Sequence, residues 1–408
     1  MFPPLPYCLN IHPGESLSEV RGAIERHTLA VKARVAPDVP YPLGLRLSAA
    51  AAEELAGEAA LEEFKGFLAR HGLTVAGING FPYGDFHNTA VKAAVYEPDW
   101  STPERLNYTA RLASILAALL PEGQAGNIST VPLGYKKRRS EAGGRRAEDG
   151  GQENGKAATV YVRQIAVMAE FLNDLKSRTG REIALALEPE PDCLLESTDE
   201  LIAWFEDELL HEGVRWLSSH KRRTQEAAEA LLRNTVGLCL DTCHFAVGFE
   251  DPLTALIRFE SACIRVARVQ LSAAIRTTVS DEALRRLAAF ADPVYLHQTR
   301  ISLPRGQVAS WPDLTAETLE AARRHTGCEL RTHFHVPLFY AGDGLLGSTN
   351  TDLTADFFAH VRSKGYPLEI ETYTFDVLPP ALRAADVVDS LVKEHEWARG
   401  CGGCAGEA

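Results

Sequence analysis

Phe171-Leu-Asn-Asp-Leu-Lys-Ser-Arg-Thr-Gly180 runs directly into Arg181-Glu-Ile-Ala-Leu-Ala-Leu-Glu-Pro-Glu-Pro191, and the passage from one to the other decides the fold class. An amphipathic helical stretch closes on a glycine, the residue that relieves the left-handed position past the last helical turn, and a short apolar run follows at once. The same punctuation recurs at Phe64 to Gly72 before Leu73 to Ile78, at Leu319 to Gly327 before Cys328 to Thr332, and at Phe357 to Gly365 before Tyr366 to Ile370. Helix starts are marked too: Ser16 with Glu19 and Ser197 with Glu200 have the spacing of a capping box. Strands alternating with helices imply a parallel sheet.

Working outward, strands are expected at Tyr7 to Ile11, Leu43 to Leu47, Thr74 to Ile78, Asn127 to Val131, Ile183 to Glu188, Val236 to Asp241, Val266 to Leu271 and Leu368 to Thr372. Eight such strands predict an α/β fold, a (β/α)8 TIM barrel with inserted loops, spanning residues 1–397 as a single domain. Two further β-like runs, Val294 to Thr299 and Leu330 to Val336, read as an elaboration over 294–340 between the seventh and eighth strands. Alternatively, one of them replaces Val266 to Leu271 in the barrel. Lys136 to Lys156 is polar and charged with almost nothing to bury, and reads as a mobile insertion after strand four. Residues 398–408 read as a flexible tail, and its Cys401 and Cys404, lacking a second pair, receive no role.

The chain has 408 residues, 45% hydrophobic and 24% charged, which suits a globular protein with a sizeable core. Its formal net charge of −13 disfavours nucleic acid as a partner, because phosphate backbones are held by clustered Lys and Arg. No run is long and apolar enough for a membrane span, and Met1 to Leu9 is too short and too rich in proline for a signal segment, so a cytoplasmic protein is expected. The eight cysteines lie mostly in apolar segments and do not form a disulfide framework. The expected partner is a small molecule; contact with other pathway proteins and self-association stay open.

In a parallel barrel, polar residues that end strands are the candidates for chemistry, since the loops there form the site. Glu188 ends Ile-Ala-Leu-Ala-Leu-Glu, Asp241 ends Gly-Leu-Cys-Leu-Asp with His244 three residues on, and Glu371 ends Leu-Glu-Ile-Glu in step with Glu369. Each acid alone could cap the next helix. Three converging at one mouth would repel one another and demand a cation, and oxygen ligands with imidazole suit Mn, Mg, Fe, Co or Zn. His333 and His335 alternate in Thr-His-Phe-His-Val, so both are expected on one face of a strand as metal donors. His12 and His87, which follow the first and third strands, together with Asn10, Asn79, Gln270 and His297, are candidates for touching substrate.

The order of a strand-ending Glu, Asp-x-x-His, a later His and a last-strand Glu resembles the xylose-isomerase-like barrels, the sugar isomerases, ketose 3-epimerases and endonuclease IV among them. More closely, Asn10-Ile-His-Pro-Gly-Glu-Ser16, Ile78-Asn-Gly-Phe-Pro-Tyr-Gly84, Ser129-Thr-Val-Pro132, His333-Phe-His-Val-Pro337 and Glu369-Ile-Glu-Thr-Tyr-Thr374 resemble the EboE-type metabolite traffic proteins of the ebo cluster. The resemblance implies a divalent ion that holds two neighbouring oxygens of a ketose while two Glu side chains exchange protons beside the carbonyl. Carried over, Glu188 and Glu371 are ligands and acid/base groups, Asp241 is a ligand, and His244 serves substrate or a second metal. One position departs from the pattern: the seventh strand offers Gln270 where the family has a histidine ligand, so His297, His333 or His335 must supply the imidazole. Three activities follow as expectations: an isomerase or epimerase of a sugar, cyclitol or related polyol in a secondary-metabolite pathway, a non-catalytic metabolite-binding protein, or a phosphoesterase related to endonuclease IV.

Overall fold

The computed structural model describes residues 3–85, 87, 91–136 and 151–403. Seven parallel strands pair in the order β1 (Tyr41–Arg46), β2 (Leu73–Asn79), β3 (Gly126–Thr130), β4 (Ile183–Leu187), β5 (Val236–Asp241), β6 (Arg265–Leu271) and β12 (Leu368–Ile370). The eighth position is filled by the N-terminal segment, where Tyr7 bridges Ile370 and Cys8 bridges Gly44, both in parallel. The Cys8 amide donates to the Ile370 carbonyl at 2.8 Å and the Ile370 amide to the Pro6 carbonyl at 2.9 Å, so the sheet closes on itself. This is a (β/α)8 barrel. The first strand is only a bridge pair, because Leu9–Ile11 turns into a 3₁₀ helix.

The closure explains one glycine. A Cβ at Gly44 would lie 2.5 Å from the Tyr7 carbonyl oxygen and would collide with the Glu369 carboxylate, so a side chain there would push the first strand away. Glycines 72, 180, 327 and 365, the expected helix stops, all have φ between 60° and 87°. Ser16 forms the full capping box with Glu19; Ser197 accepts from the Glu200 amide, but the Glu200 carboxylate accepts instead from Glu196.

Strands β4 and β5 are buried along their whole length, as near-continuous apolar runs covered on both faces require. Outward side chains such as Leu185, Leu187, Leu238 and Leu240 join the main hydrophobic core beneath the helices. Inward positions are small or polar: Cys8, Gly44, Gly77, Asn127, Ala184, Cys239, Arg268 and Glu369. Arg268 crosses this interior, donating to Asn127 Oδ1 at 2.6 Å and pairing with Glu369 at 2.7 Å, and a Cβ at Gly77 would strike its guanidinium. The usual branched apolar filling is thus replaced by a buried ion pair.

Between β6 and β12 the chain builds a second, antiparallel sheet in the order β11 (Leu346–Ser348), β7 (Ile275–Thr278), β10 (Glu329–Thr332), β8 (Thr299–Ser302) and β9 (Val308–Trp311). Val266 to Leu271 keeps its barrel place as β6. The inserted sheet begins earlier and ends later than the 294–340 expected, since β7 and β11 carry no strong β pattern of their own. Strand β10 stops at Thr332, so His333 and His335 lie in an irregular segment rather than on a strand. Of the polar stretch 136–156, residues 137–150 lie outside the described residues, and Gly151 already belongs to the helix Gly151–Thr179. The C-terminal helix Val387–Gly403 likewise takes in Cys401 and most of the expected tail, while Cys404 lies outside the described residues. His395, on that helix, is buried against Tyr41 and the Leu5 carbonyl. Among the described residues no helix is long and apolar enough to cross a membrane.

Candidate metal and active site

Three carboxylates meet where the barrel strands end. Glu188 extends β4, its amide donating to the Thr130 carbonyl at 3.1 Å, and Glu371 extends β12 by bonding the Leu271 carbonyl at 3.0 Å. Asp241 ends β5 and opens the helix Thr242–Val247, so the helix-cap reading of this residue is half correct. Its Oδ1 accepts from the amides of Cys243 and His244 at 2.8 and 3.1 Å and from Ser272 Oγ at 2.6 Å, while Oδ2 has no partner among the described residues. One oxygen from each of Glu188, Asp241 and Glu371 lies within 4.8 Å of the others. All three side chains are buried, and among the described residues none forms an ion pair with a lysine or arginine.

Burial, reinforced by repulsion from Asp241, pushes the Glu188 carboxyl well above its ordinary range, and burial with repulsion from Glu188 and Asp241 does the same to Glu371. Glu371 is held on both oxygens: Asn10 Nδ2 donates at 2.9 Å to one, and the Gln270 amide donates to the other. Gln270 also accepts from the Cys239 thiol at 2.9 Å, which places it below the mouth as a support for Glu371 rather than against substrate. Glu188 Oε2 is buried without a hydrogen-bond partner among the described residues.

The imidazoles come from two directions. His244 sits in the first turn after Asp241, and its Nδ1 donates to the Pro189 carbonyl at 3.0 Å. His333 and His335 are delivered by the inserted sheet: His333 Nδ1 donates to Gln298 Oε1 at 2.6 Å, His335 Nδ1 to the Glu371 carbonyl at 2.9 Å, and the two Nε2 atoms stand 3.1 Å apart. His335 and His244 share a group of mutually close ligand atoms with Asp241, so both stand beside the carboxylates. Burial lowers the proton affinity of all three rings, His244 to about 4.

Glu188, Glu371, His244 and His333 reach a cleft of about 480 Å³, counted out to its open mouth, while Asp241 and His335 lie outside its lining. Asn10, Glu188, Glu190, His244, His333 and Glu371 supply its polar surface, and Phe81, Tyr96, Tyr295, Leu296 and Tyr373 its walls. Lys92 also lines it, and its ammonium is engaged by the Asp292 and Tyr295 carbonyls and by Asp313 at 2.7 to 2.9 Å.

Besides Gln270, four expected substrate contacts fall outside this lining. His12 bonds the Tyr7 hydroxyl at 3.0 Å and stacks on His27. Asn79 donates to Cys8 Sγ at 3.3 Å and accepts from the Phe81 amide at 3.1 Å. His87 spans the Asn10 carbonyl and the Tyr295 hydroxyl, behind the wall. His297 gives one nitrogen to the His333 carbonyl at 2.7 Å and the other to Asp292, so it braces the histidine segment from behind. Strand-end placement locates a residue at the mouth but not the direction of its ring.

One residue of the site, and one in the layer beneath it, escape a reading of the sequence. Glu190 follows Glu188 by two in Glu-Pro-Glu-Pro, the spacing that returns a side chain to the same face, and this signal could have found it. It accepts from the Tyr96 hydroxyl at 2.6 Å, its Oε2 has no partner among the described residues, and burial with repulsion from Asp241 raises its pKa to about 8. Arg268 gives no signal beyond being a charge inside an apolar run.

No family model matches the chain, and no curated protein matches it. Solved structures similar in overall fold include a xylose isomerase-like TIM barrel protein from Mycobacterium smegmatis in complex with magnesium, at 13% identity over 98% of this chain and 96% of that one, with a TM-score of 0.48. The IOLI protein with a binding zinc atom is 13% identical over 98% of each chain at a TM-score of 0.46, and a D-tagatose 3-epimerase-like protein is 9% identical over 98% and 97% at 0.46. The barrel assignment itself rests on the strand order and its closure.

Proposed function

We propose that the protein is a divalent-metal-dependent isomerase or epimerase of a sugar, cyclitol or related polyol. The observation that carries this reading is the buried trio of Glu188, Asp241 and Glu371, which forms no ion pair with a lysine or arginine among the described residues and leaves Glu188 Oε2 and Asp241 Oδ2 bare. Buried charge without a partner is costly, and bare carboxylate oxygens beside an imidazole nitrogen are the donor set a divalent ion accepts. Glu188, Asp241, Glu371 and His335 would hold the ion. When bound, such an ion supplies Lewis-acid polarisation of a substrate carbonyl.

The chain's own groups do the rest. Glu188 and Glu371, whose proton affinity burial raises, take a proton from the carbon beside the carbonyl and return one to its neighbour or to the opposite face. Asn10 fixes the Glu371 oxygen at 2.9 Å and so fixes the direction of transfer. His244 presents Nε2 to the cleft as a hydrogen-bond acceptor for a substrate hydroxyl. Phe81, Tyr96, Tyr295 and Tyr373 keep bulk water from the exchanging proton. The motifs shared with the EboE-type proteins support a place in a secondary-metabolite pathway. One feature favours a binder without turnover: the Gln270 amide occupies an oxygen of Glu371, which restrains one of the two proton carriers.

Metal analysis of the purified protein beside Glu188→Gln and Asp241→Asn tests the site. Both variants are expected to lose the metal bound at the carboxylates; full retention in both would sink the proposal. Incorporation of deuterium from solvent into a substrate C–H position then separates the isomerase from the binder, which incorporates none.

A further inference from the structure

We infer that the substrate is uncharged away from its reacting end and carries there an apolar, aromatic substituent: a hydroxy-ketone or polyol head for the carboxylates, joined to an aryl tail. The inference rests on the proposed function for the head and on the walls of the cleft for the tail.

The cleft is divided by chemistry. Its polar surface comes from the strand ends and the histidine segment, while Val91, Val95 and Leu296 give it aliphatic carbon. Phe81, Tyr96, Tyr295 and Tyr373 add four rings. The tyrosines could have offered hydroxyls to a ligand, but two are committed: Tyr96 donates to Glu190 Oε1 at 2.6 Å, and the Tyr295 hydroxyl meets His87 Nδ1 at 2.9 Å. What they leave for a ligand is ring surface. The rings are also paired, Phe81 with Tyr96 at 5.5 Å between centroids and Tyr295 with Tyr373 at 5.1 Å, so each is held in place by another.

Lys92 fixes the aliphatic part. It opens the 3₁₀ helix Lys92–Tyr96, its amide donates to the Val294 carbonyl at 3.2 Å, and its ammonium donates to the Asp292 carbonyl at 2.9 Å and to the Tyr295 carbonyl and Asp313 at 2.7 Å. These four bonds tie the segment bearing Val91 and Val95 to the segment bearing Leu296. They also occupy all three ammonium protons. Lys92 is the only lysine or arginine of the lining among the described residues, and Glu188, Glu190 and Glu371 would repel an anion. A phosphate on the tail therefore finds no cation among the described residues. A bare sugar is poorly matched as well: it carries hydroxyls around its whole edge, and those turned to valine, leucine and ring carbon would be buried without partners. A tail of apolar carbon removes that penalty, and an aromatic one complements the paired rings.

Three ketones with one head separate the tails: α-hydroxyacetophenone carries a phenyl ring where dihydroxyacetone has a hydroxymethyl group and dihydroxyacetone phosphate an anion. Titrated calorimetrically into the metal-loaded full-length protein, the phenyl ketone is expected to bind about tenfold or more tighter than either of the others. Leu296→Asn and Val95→Asn, each checked for wild-type metal content as the sign of intact carboxylates, should narrow that preference to about two- to three-fold. Equal or tighter binding of dihydroxyacetone or its phosphate, no binding of any of the three, or a preference untouched by both variants would overturn the aryl tail. Exchange with deuterated solvent reports on the head separately: the hydroxymethyl carbon gives its proton to a carboxylate and takes a deuteron in return. Preferential binding of the phenyl ketone without incorporation overturns the isomerase and keeps the tail. Incorporation into dihydroxyacetone at a higher kcat/KM than into the phenyl ketone keeps the isomerase and overturns the tail.

Discussion

Glu369 and Glu371 sit two residues apart on one strand end and turn to the same interior, yet their surroundings are opposite. Glu369 faces Arg268 at 2.7 Å, and that guanidinium opposes the upward push of burial on the carboxyl. Glu371 faces Glu188 and Asp241, which add to burial rather than oppose it. One layer of the barrel neutralises its own charge; the layer above it does not. A fold can tolerate the second arrangement where protons or a cation neutralise it, and it is on this contrast that the proposed function places chemistry at the mouth and structure in the interior below.

The largest effect should come from breaking the self-neutralised layer. Arg268→Met leaves Glu369 buried and unpaired, and should cost about 3–5 kcal/mol in urea unfolding. Adding Glu369→Gln to it should recover most of that loss, because the uncompensated charge goes with it. A loss of under about 1 kcal/mol for Arg268→Met would mean the pair is dispensable, and the contrast between the layers would fail.

The mouth should respond in the opposite sense. In metal-free protein, Glu188, Glu190 and Glu371 hold protons more tightly folded than unfolded, so their contribution to stability is full below their ordinary range. It is lost as pH rises through the raised values, about 8 for Glu190. His244, lowered to about 4, acts the other way: its contribution is present above its ordinary 6.5 and is lost as pH falls toward 4. Between pH 6.5 and 8 the contribution of Glu190 is being lost, so the melting temperature of the metal-free wild type should fall relative to that of Glu190→Gln across that window. Glu190→Gln, which removes the carboxyl raised to about 8, should therefore be more stabilising to the metal-free form at pH 8 than at pH 6.5. A wild-type melting temperature that rises relative to the variant's over the same window would contradict the placement of bare charge at the mouth.

The two layers also differ in how well the sequence announces them. Glu188, Asp241 and Glu371 each close an apolar run, and a carboxylate in that position has few physical uses, so their convergence is legible in the order of residues alone. Arg268 sits inside such a run, Arg-Val-Ala-Arg-Val-Gln-Leu, where the pattern says only that the strand is buried; its partner is 101 residues away. The barrel strands are legible because glycine stops and apolar runs act locally. The inserted sheet is only half visible, because all five of its strands are three or four residues long and are fixed by antiparallel partners rather than by their own composition. His333 and His335 reach the mouth from that sheet, so their pairing is readable while the irregular segment that carries them is not.

The smallest effect should fall on histidines that the chain order places near the mouth and the structure turns elsewhere. His12 stacks on His27 with ring centroids 4.4 Å apart and bonds Tyr7, and His87 lies between the Asn10 carbonyl and the Tyr295 hydroxyl. Neither shares a cluster of close ligand atoms with the acids among the described residues. His12→Gln and His87→Gln should therefore keep the wild-type metal content at about neutral pH, where Glu188→Gln does not. His87→Gln is the sharper of the two, because His87 braces the Asn10 backbone while the Asn10 side chain holds Glu371. If that brace matters to the carboxylates, metal affinity will weaken by a few-fold at unchanged stoichiometry; a drop in stoichiometry would put His87 among the ligands and redraw the boundary between the bare layer and its supports.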